Sequence, residues 1–356
     1  MIRLLTLCVT IAVWGIVCPI TAAQAADPVR IGVLGMDNYQ AVEYVQMFNN
    51  PKAEGDFAGL RVTAAYPVTS PDYPKSAELT EMWKAQMLNI NKNPADPKTA
   101  IPQVEMVTSI DELLKRCDAV MIFSLDARLH LTQATAVLKA GKPLYIGRPL
   151  ATTAEDAVAI FKLSAETKVP CWSCSQHRFS PGFSGMRDHA EVGKVLGCDV
   201  YGGFDVNAVE ADKSTRGLHS IETLYTIMGP GVVKVSCTST PNVELMTAVW
   251  SDGRVGTFRG VKQGAVKYSA TVFGDKGVST AGIYGHGIPV NGIVPTNDKY
   301  MGYGGLGIQM AKFFKGGPVP VTPAETLEIH ALFVAADASR AQNGAFVPLP
   351  KLAAAK

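Results

Sequence analysis

Asp126, Arg128 and His130 lie in one short stretch, and Arg148 follows further along. Their types allow proton transfer, anion binding and orientation of a polar ligand. Each stands just after an apolar run. Ala119–Phe123 is short and apolar, Ser124-Leu125-Asp126-Ala127-Arg128 is a polar turn, and Leu144-Tyr145-Ile146 ends at Gly147-Arg148-Pro149. A second candidate is Gly35-Met36-Asp37-Asn38-Tyr39-Gln40, where the run Val29–Leu34 meets a glycine. A dinucleotide turn would use glycines here so that backbone can approach a pyrophosphate at a helix N-terminus. Only the first glycine is present, and Asp37 stands at the second. Its carboxylate would repel phosphate unless a cation or proton intervened. The plainer expectation is that Asp37 caps the following helix. Cys171-Trp172-Ser173-Cys174 is a third candidate, a CxxC. Redox work would need it at a helix start. It follows Lys168-Val169-Pro170 and reads as strand, so buried thiols or a local disulfide are expected.

The elements that position these residues read as follows. His130–Lys139 has helical apolar spacing and Gly141 ends it, so residues 118–149 form strand, helix and strand. Such a unit implies a parallel sheet with a right-handed crossover, and ligands of open α/β sheets bind at strand carboxyl ends. Strands are expected at 60–66, 104–107 and 169–175, and helices at 41–48, 76–88, 110–114 and 154–167, with Ser109 and Thr153 as caps. Beyond Gln176 the chain turns glycine-rich and strand-like, with runs at 200–206, 232–238, 243–250, 255–258 and 267–273. Helices at 183–190 and 218–228 interrupt them, and 323–343 is a long terminal helix. This predicts an α/β fold: an N-terminal Rossmann-like parallel sheet, then a C-terminal α/β domain with a large, mostly antiparallel sheet.

The chain has 356 residues, 47% of them hydrophobic, and a net charge of +2. That suits two domains and argues against disorder and a nucleic-acid surface. Met1-Ile2-Arg3, the apolar run to Ile20 and Ala23-Gln24-Ala25 read as an export signal cleaved before Ala26. The expected division is signal peptide 1–25, Rossmann-like domain 26–175, substrate and oligomerisation domain 176–322, and terminal helix and tail 323–356 packing back on the first domain. No membrane-spanning segment is expected in the mature chain. Five of the seven cysteines remain there, an odd number that leaves at least one unpaired within a monomer.

Four segments in order resemble the Gfo/Idh/MocA oxidoreductases: the glycine-terminated first strand; Ala140-Gly141-Lys142-Pro143 leading to Pro149-Leu150-Ala151; Gly217–Glu222 before Met228-Gly229; and Trp250-x-Asp252-Gly253 with Phe273-Gly274-Asp275-Lys276-Gly277. The resemblance implies NAD or NADP as cofactor, a small carbohydrate or polyol as substrate, and a homo-oligomer formed through the C-terminal sheet. The family's Glu-Lys-Pro motif falls on Gly147-Arg148-Pro149, so arginine stands at the catalytic lysine's place. It stays charged, and it orients or polarises where lysine could transfer a proton. The family's Asp-x-x-x-His motif falls on Thr215–His219, with Thr215 at the aspartate's place. Glu222 shares a helical face with His219.

The implied catalytic set is His219, Arg148 and Glu222, with His219 as acid or base. Cofactor contacts fall on Gly35, Asp37, Asn38, Ser124, Asp126, Arg128 and His130. Tyr284, His286, Tyr300 and Tyr303 are expected in a glycine-rich loop near the substrate or an oligomer contact. No twin-arginine pair precedes the apolar run, so export would be as an unfolded chain without pre-bound nicotinamide. Two further readings therefore stand beside the oxidoreductase: a non-redox carbohydrate-binding protein, and a redox-neutral lyase or hydrolase acting on an oxidised sugar.

Overall fold

The computed structural model describes residues 27–89, 103–187, 189–204, 217–265, 267–282 and 302–353. The expected export signal (residues 1–25), Thr215, Tyr284, His286 and Tyr300 lie outside them. The first sheet holds β1 (Val29–Leu34), β2 (Leu60–Tyr66), β3 (Glu105–Met106), β4 (Ala119–Ile122), β5 (Leu144–Ile146) and β6 (Cys171–Ser173). Their order is β3-β2-β1-β4-β5-β6, and every neighbouring pair is parallel. The crossovers are α1 (Gln40–Phe48), α2 (Ser76–Asn89), α3 (Ile110–Lys115), α4 (His130–Lys139) and α5 (Ala154–Thr167). Both faces of the sheet are covered, so its strands read as continuous apolar runs: all four residues of β4 are buried. Ser109 and Thr153 cap α3 and α5 as expected, accepting from Glu112 N and Asp156 N.

The second sheet runs β12-β11-β7-β10-β9-β8-β13. Its strands are β7 (Val195–Gly203), β8 (Val232–Ser239), β9 (Val243–Trp250), β10 (Val255–Val261), β11 (Ser269–Gly274), β12 (Val278–Gly282) and β13 (Val347–Pro348). Only β7 and β10 pair in parallel. This is the architecture expected from the sequence. One face is sealed by α7 (Leu218–Met228) and α9 (Pro323–Ala341), with Met246, Ala248, Trp250 and Phe258 turned toward them. The opposite face shows Tyr201, Val255 and Phe273 to solvent. The apolar stripe of α9 is shared. Ile329, Leu332 and Ala335 enter the core under the second sheet, whereas Leu327 enters a core of the first domain.

Two local expectations are corrected. The short helix α6 covers only Pro181–Ser184, because Gly185 ends it. Tyr303 is not in a loop; it lies in helix α8 (Gly302–Phe314). That helix contains four glycines, each about 1 kcal/mol worse than alanine. Burial offsets this: Leu306, Met310, Phe313 and Phe314 all enter the core beside α1, each contributing about 1.5–3 kcal/mol. Gly305 is needed there, since a Cβ would run into the Phe179 carbonyl. No helix among the described residues is long and apolar enough to cross a membrane.

Candidate functional site

Strand ends of the first sheet meet the start of α7. Arg148 follows β5, Ser175 follows β6, and a single turn, Gln176–Phe179, carries His177 and Arg178. His219 enters from the first turn of α7. Ser175 Oγ lies 2.6 Å from His219 Nδ1 and accepts from His177 N at 3.1 Å. The His177 and His219 rings stack with centroids 4.4 Å apart, and Tyr268 meets both edge-on. No hydrogen bond to His219 Nε2 is present among the described residues. With a proton on Nδ1 donated to Ser175, Nε2 is left as the proton acceptor. Burial, the Arg148 charge and His177 hold the His219 pKa well below the ordinary histidine value. Burial and Arg148 bring His177 down to about 3. Both imidazoles are therefore neutral at pH 7.

Arg148 is partly exposed, but its Nε is buried and has no hydrogen-bond partner among the described residues. His177, Ser175 and Tyr268 were not singled out from the sequence. The rule that drew attention to Arg148, a polar residue just past a strand's carboxyl end, applies equally to Ser175 and His177. A cavity of about 420 Å³ lies beyond Pro149 and Leu218, the chain neighbours of Arg148 and His219. Phe204, Met246, His330 and Phe333 also line it, whereas Arg148 and His219 do not. Its volume is in the range of small-molecule sites.

Glu222 does not join His219, contrary to expectation. Its carboxylate pairs with the Arg178 guanidinium, which also holds Glu325 at 2.6 Å. Arg178 and Glu222 are both buried. The pair fastens the turn after β6 to α7, and Glu325 fastens it to α9.

The expected cofactor residues form a closed network. Asp37 does not cap α1; its carboxylate accepts from Leu125 N at 2.8 Å and from Ser76 Oγ at 2.7 Å. Burial raises its pKa, against the hydrogen bonds from Ser76 and Leu125. The N-cap residue is Tyr39, which makes no side-chain cap bond, and Asn38 just before it accepts from Gln40 N through Oδ1 at 3.0 Å. Ser70 Oγ donates to Asp126 at 2.5 Å, and Asp126 also takes bonds from the Arg128 backbone and guanidinium. Arg128 reaches Asp72 as well, at 3.6 Å.

His130 is fully buried, so it is not at a pocket edge. Its ring nitrogens face the Ser124 carbonyl on one side and those of Pro149 and Leu150 on the other. Burial lowers its pKa while those carbonyls pull it back up. Its position ties the turn after β4 to the turn that carries Arg148. Ser124 Oγ accepts from Gln133 at 2.8 Å.

Gly35 has φ +83°, and a Cβ there would overlap the Ser124 side chain and backbone. Gly35→Ala is expected to lower stability by about 2 kcal/mol or more, from left-handed strain plus the clash. Urea denaturation checks this, and an unchanged midpoint would contradict it.

Cys171 and Cys174 are free and buried. Alternation along β6 puts them in different cores, one on each face of the sheet. Burial raises each thiol to about 12. Among the described residues no group of His, Cys, Asp and Glu is arranged to hold a metal.

Residues 29–174 match the family model described as oxidoreductase family, NAD-binding Rossmann fold. This stretch is a Gfo/Idh/MocA domain. A curated relative, 4-carboxy-2-hydroxymuconate-6-semialdehyde dehydrogenase from Sphingobium sp., is 32% identical over 89 residues. The match covers 25% of this chain and 28% of that protein. Solved structures share the fold along nearly the whole chain. Scyllo-inositol dehydrogenase from Lactobacillus casei, with NAD(H) and scyllo-inositol bound, superposes with a TM-score of 0.65 at 14% identity, covering 91% of this chain and 99% of that one. Myo-inositol 2-dehydrogenase from Lactobacillus plantarum gives 0.66 at 14% identity, over 91% and 100%. Levoglucosan dehydrogenase, in complex with NADH and L-sorbose, gives 0.67 at 13%, over 91% and 100%.

The turn after β1 of this Gfo/Idh/MocA domain does not fit a pyrophosphate as it stands. Gln40 N at the start of α1 is taken by Asn38. The buried Asp37 carboxylate lies in the same turn and would face the phosphates with like charge.

Proposed function

We propose that the protein is an exported oxidoreductase that binds a sugar or polyol derivative between the first sheet and the start of α7. The observation that carries this is the assembly of Arg148, His177 and His219 beside Ser175 at the strand carboxyl ends. Arg148 orients and polarises a substrate oxygen. His219, neutral and held by Ser175, takes the hydroxyl proton on Nε2. The family match and the inositol and sugar dehydrogenases of the same fold support the substrate class. Residues 1–25 support export, and the exposed face bearing Tyr201, Val255 and Phe273 supports a homo-oligomer. When bound, NAD or NADP would supply the hydride chemistry in this reading.

The closed turn at Asp37 favours a second reading, in which an oxidised sugar is bound or cleaved without a dinucleotide. Titration of the purified protein with NAD(H) and NADP(H), followed by nicotinamide fluorescence, separates the two. Saturable binding below ~1 mM supports the oxidoreductase. Asp37→Asn is then expected to tighten it by about tenfold, because a like charge is removed. Absence of binding in both proteins sinks hydride transfer and leaves the redox-neutral reading.

A further inference from the structure

Arg178 is buried and Arg148 is partly exposed; each has one buried guanidinium nitrogen, Arg178 Nη2 and Arg148 Nε, without a hydrogen-bond partner among the described residues, and the two differ in their ion pairs. Arg178 is held between two carboxylates, Glu222 and Glu325. Arg148 forms no ion pair among the described residues, and its buried Nε lacks an acceptor. An orphaned buried donor costs about 1–3 kcal/mol, and more when it belongs to a charged group. A native protein tolerates that where a ligand supplies the acceptor. Among the described residues no acceptor meets it. Ser175 Oγ is engaged with His219 and the His177 amide. The Arg148 charge acts on both imidazoles, and no carboxylate among the described residues is seen opposing it there. Among the described residues the site therefore presents a positive charge without a counter-ion, carried by a planar fork that matches a carboxylate.

We infer that Arg148 selects a substrate bearing a carboxylate, a sugar acid in place of a neutral sugar or polyol, and pairs with it through the guanidinium. This rests on the carbohydrate reading above and narrows it. Arginine at the position where the family's catalytic lysine is expected then has a purpose: it binds an anion and keeps its own proton. Substrate orientation follows from that pairing, with the carboxylate fixed at Arg148 and a neighbouring hydroxyl left for His219.

The test is calorimetric titration of the full-length mature protein with a matched pair, D-glucuronate and D-glucose, with myo-inositol as a second neutral probe. Glucuronate is expected to bind at least ~10-fold more tightly than either neutral probe. Arg148→Met should abolish that preference, and Arg148→Lys, which keeps the charge but loses the fork, should retain part of it. Circular dichroism of both variants establishes that they are folded, and the Lys variant carries the test should the Met variant fail. Equal binding of acid and neutral sugar overturns the inference and leaves the carbohydrate reading intact. So does an acid preference that survives in Arg148→Met. Failure of all three probes to bind at ~10 mM overturns both.

Discussion

Arg178→Met is expected to destabilise the protein by about 3–5 kcal/mol, because it leaves Glu222 buried without its partner. Glu222 is 3% exposed, and the Arg178 guanidinium is its ion-pair partner among the described residues. Glu325, the other carboxylate on Arg178, is less deeply buried and reaches solvent more easily. Arg178 joins the turn after β6 to α7 and α9, so its loss loosens the attachment of the first sheet to both helices. Urea denaturation of wild type and variant measures the effect. A change below ~1 kcal/mol would mean that the pair is solvated and that the domains are held by apolar packing alone. Glu222→Gln in the Arg178→Met background should recover part of the loss, since the neutral amide removes the buried charge. That rescue distinguishes an electrostatic cause from a packing defect.

His219→Ala should lower turnover at least ~100-fold while leaving the fold intact. The residue is partly exposed, and what alanine removes is the hydrogen bond to Ser175 and the ring contacts with His177 and Tyr268, all within the site and outside the sheet cores. The pH profile carries a further expectation. His219 acts as a base only when neutral, and its pKa is held well below the ordinary value by burial, Arg148 and His177. The acid limb of kcat/KM is therefore expected well below pH 6.5. Arg148→Met removes a positive neighbour, so the His219 pKa rises and the limb moves up toward the ordinary histidine range. A wild-type limb at or above pH 6.5, or one that stays in place in Arg148→Met, would remove His219 from this role.

Local physics made the first domain legible. The apolar runs of β2 and β5, the spacing of α4 and the cap at Thr153 all depend on residues adjacent in the chain, and the observed bounds follow them. The glycine-rich helix α8 was not legible as a helix. Its cost is written in its composition, whereas its compensation comes from burial against α1, far away in sequence. Glu222 misled for a similar reason. Helical spacing places it near His219, but the partner that claims it, Arg178, arrives from another element.

The sequence by itself determined the two sheets, most of their helices (though not α8 or the extent of α6) and the presence of Arg148 and His219 at strand and helix ends. The periodicities of strand and helix are local and survive in any fold that buries them. The tertiary structure decided what each polar residue does. It stacked His177 on His219, paired Glu222 with Arg178, and joined Asp37 to Leu125 and Ser76. It also buried His130 among carbonyls and left Arg148 without a counter-ion among the described residues. Hydrogen bonding and charge pairing act over a few ångströms between groups that can be a hundred residues apart, so only the folded chain assigns the partners.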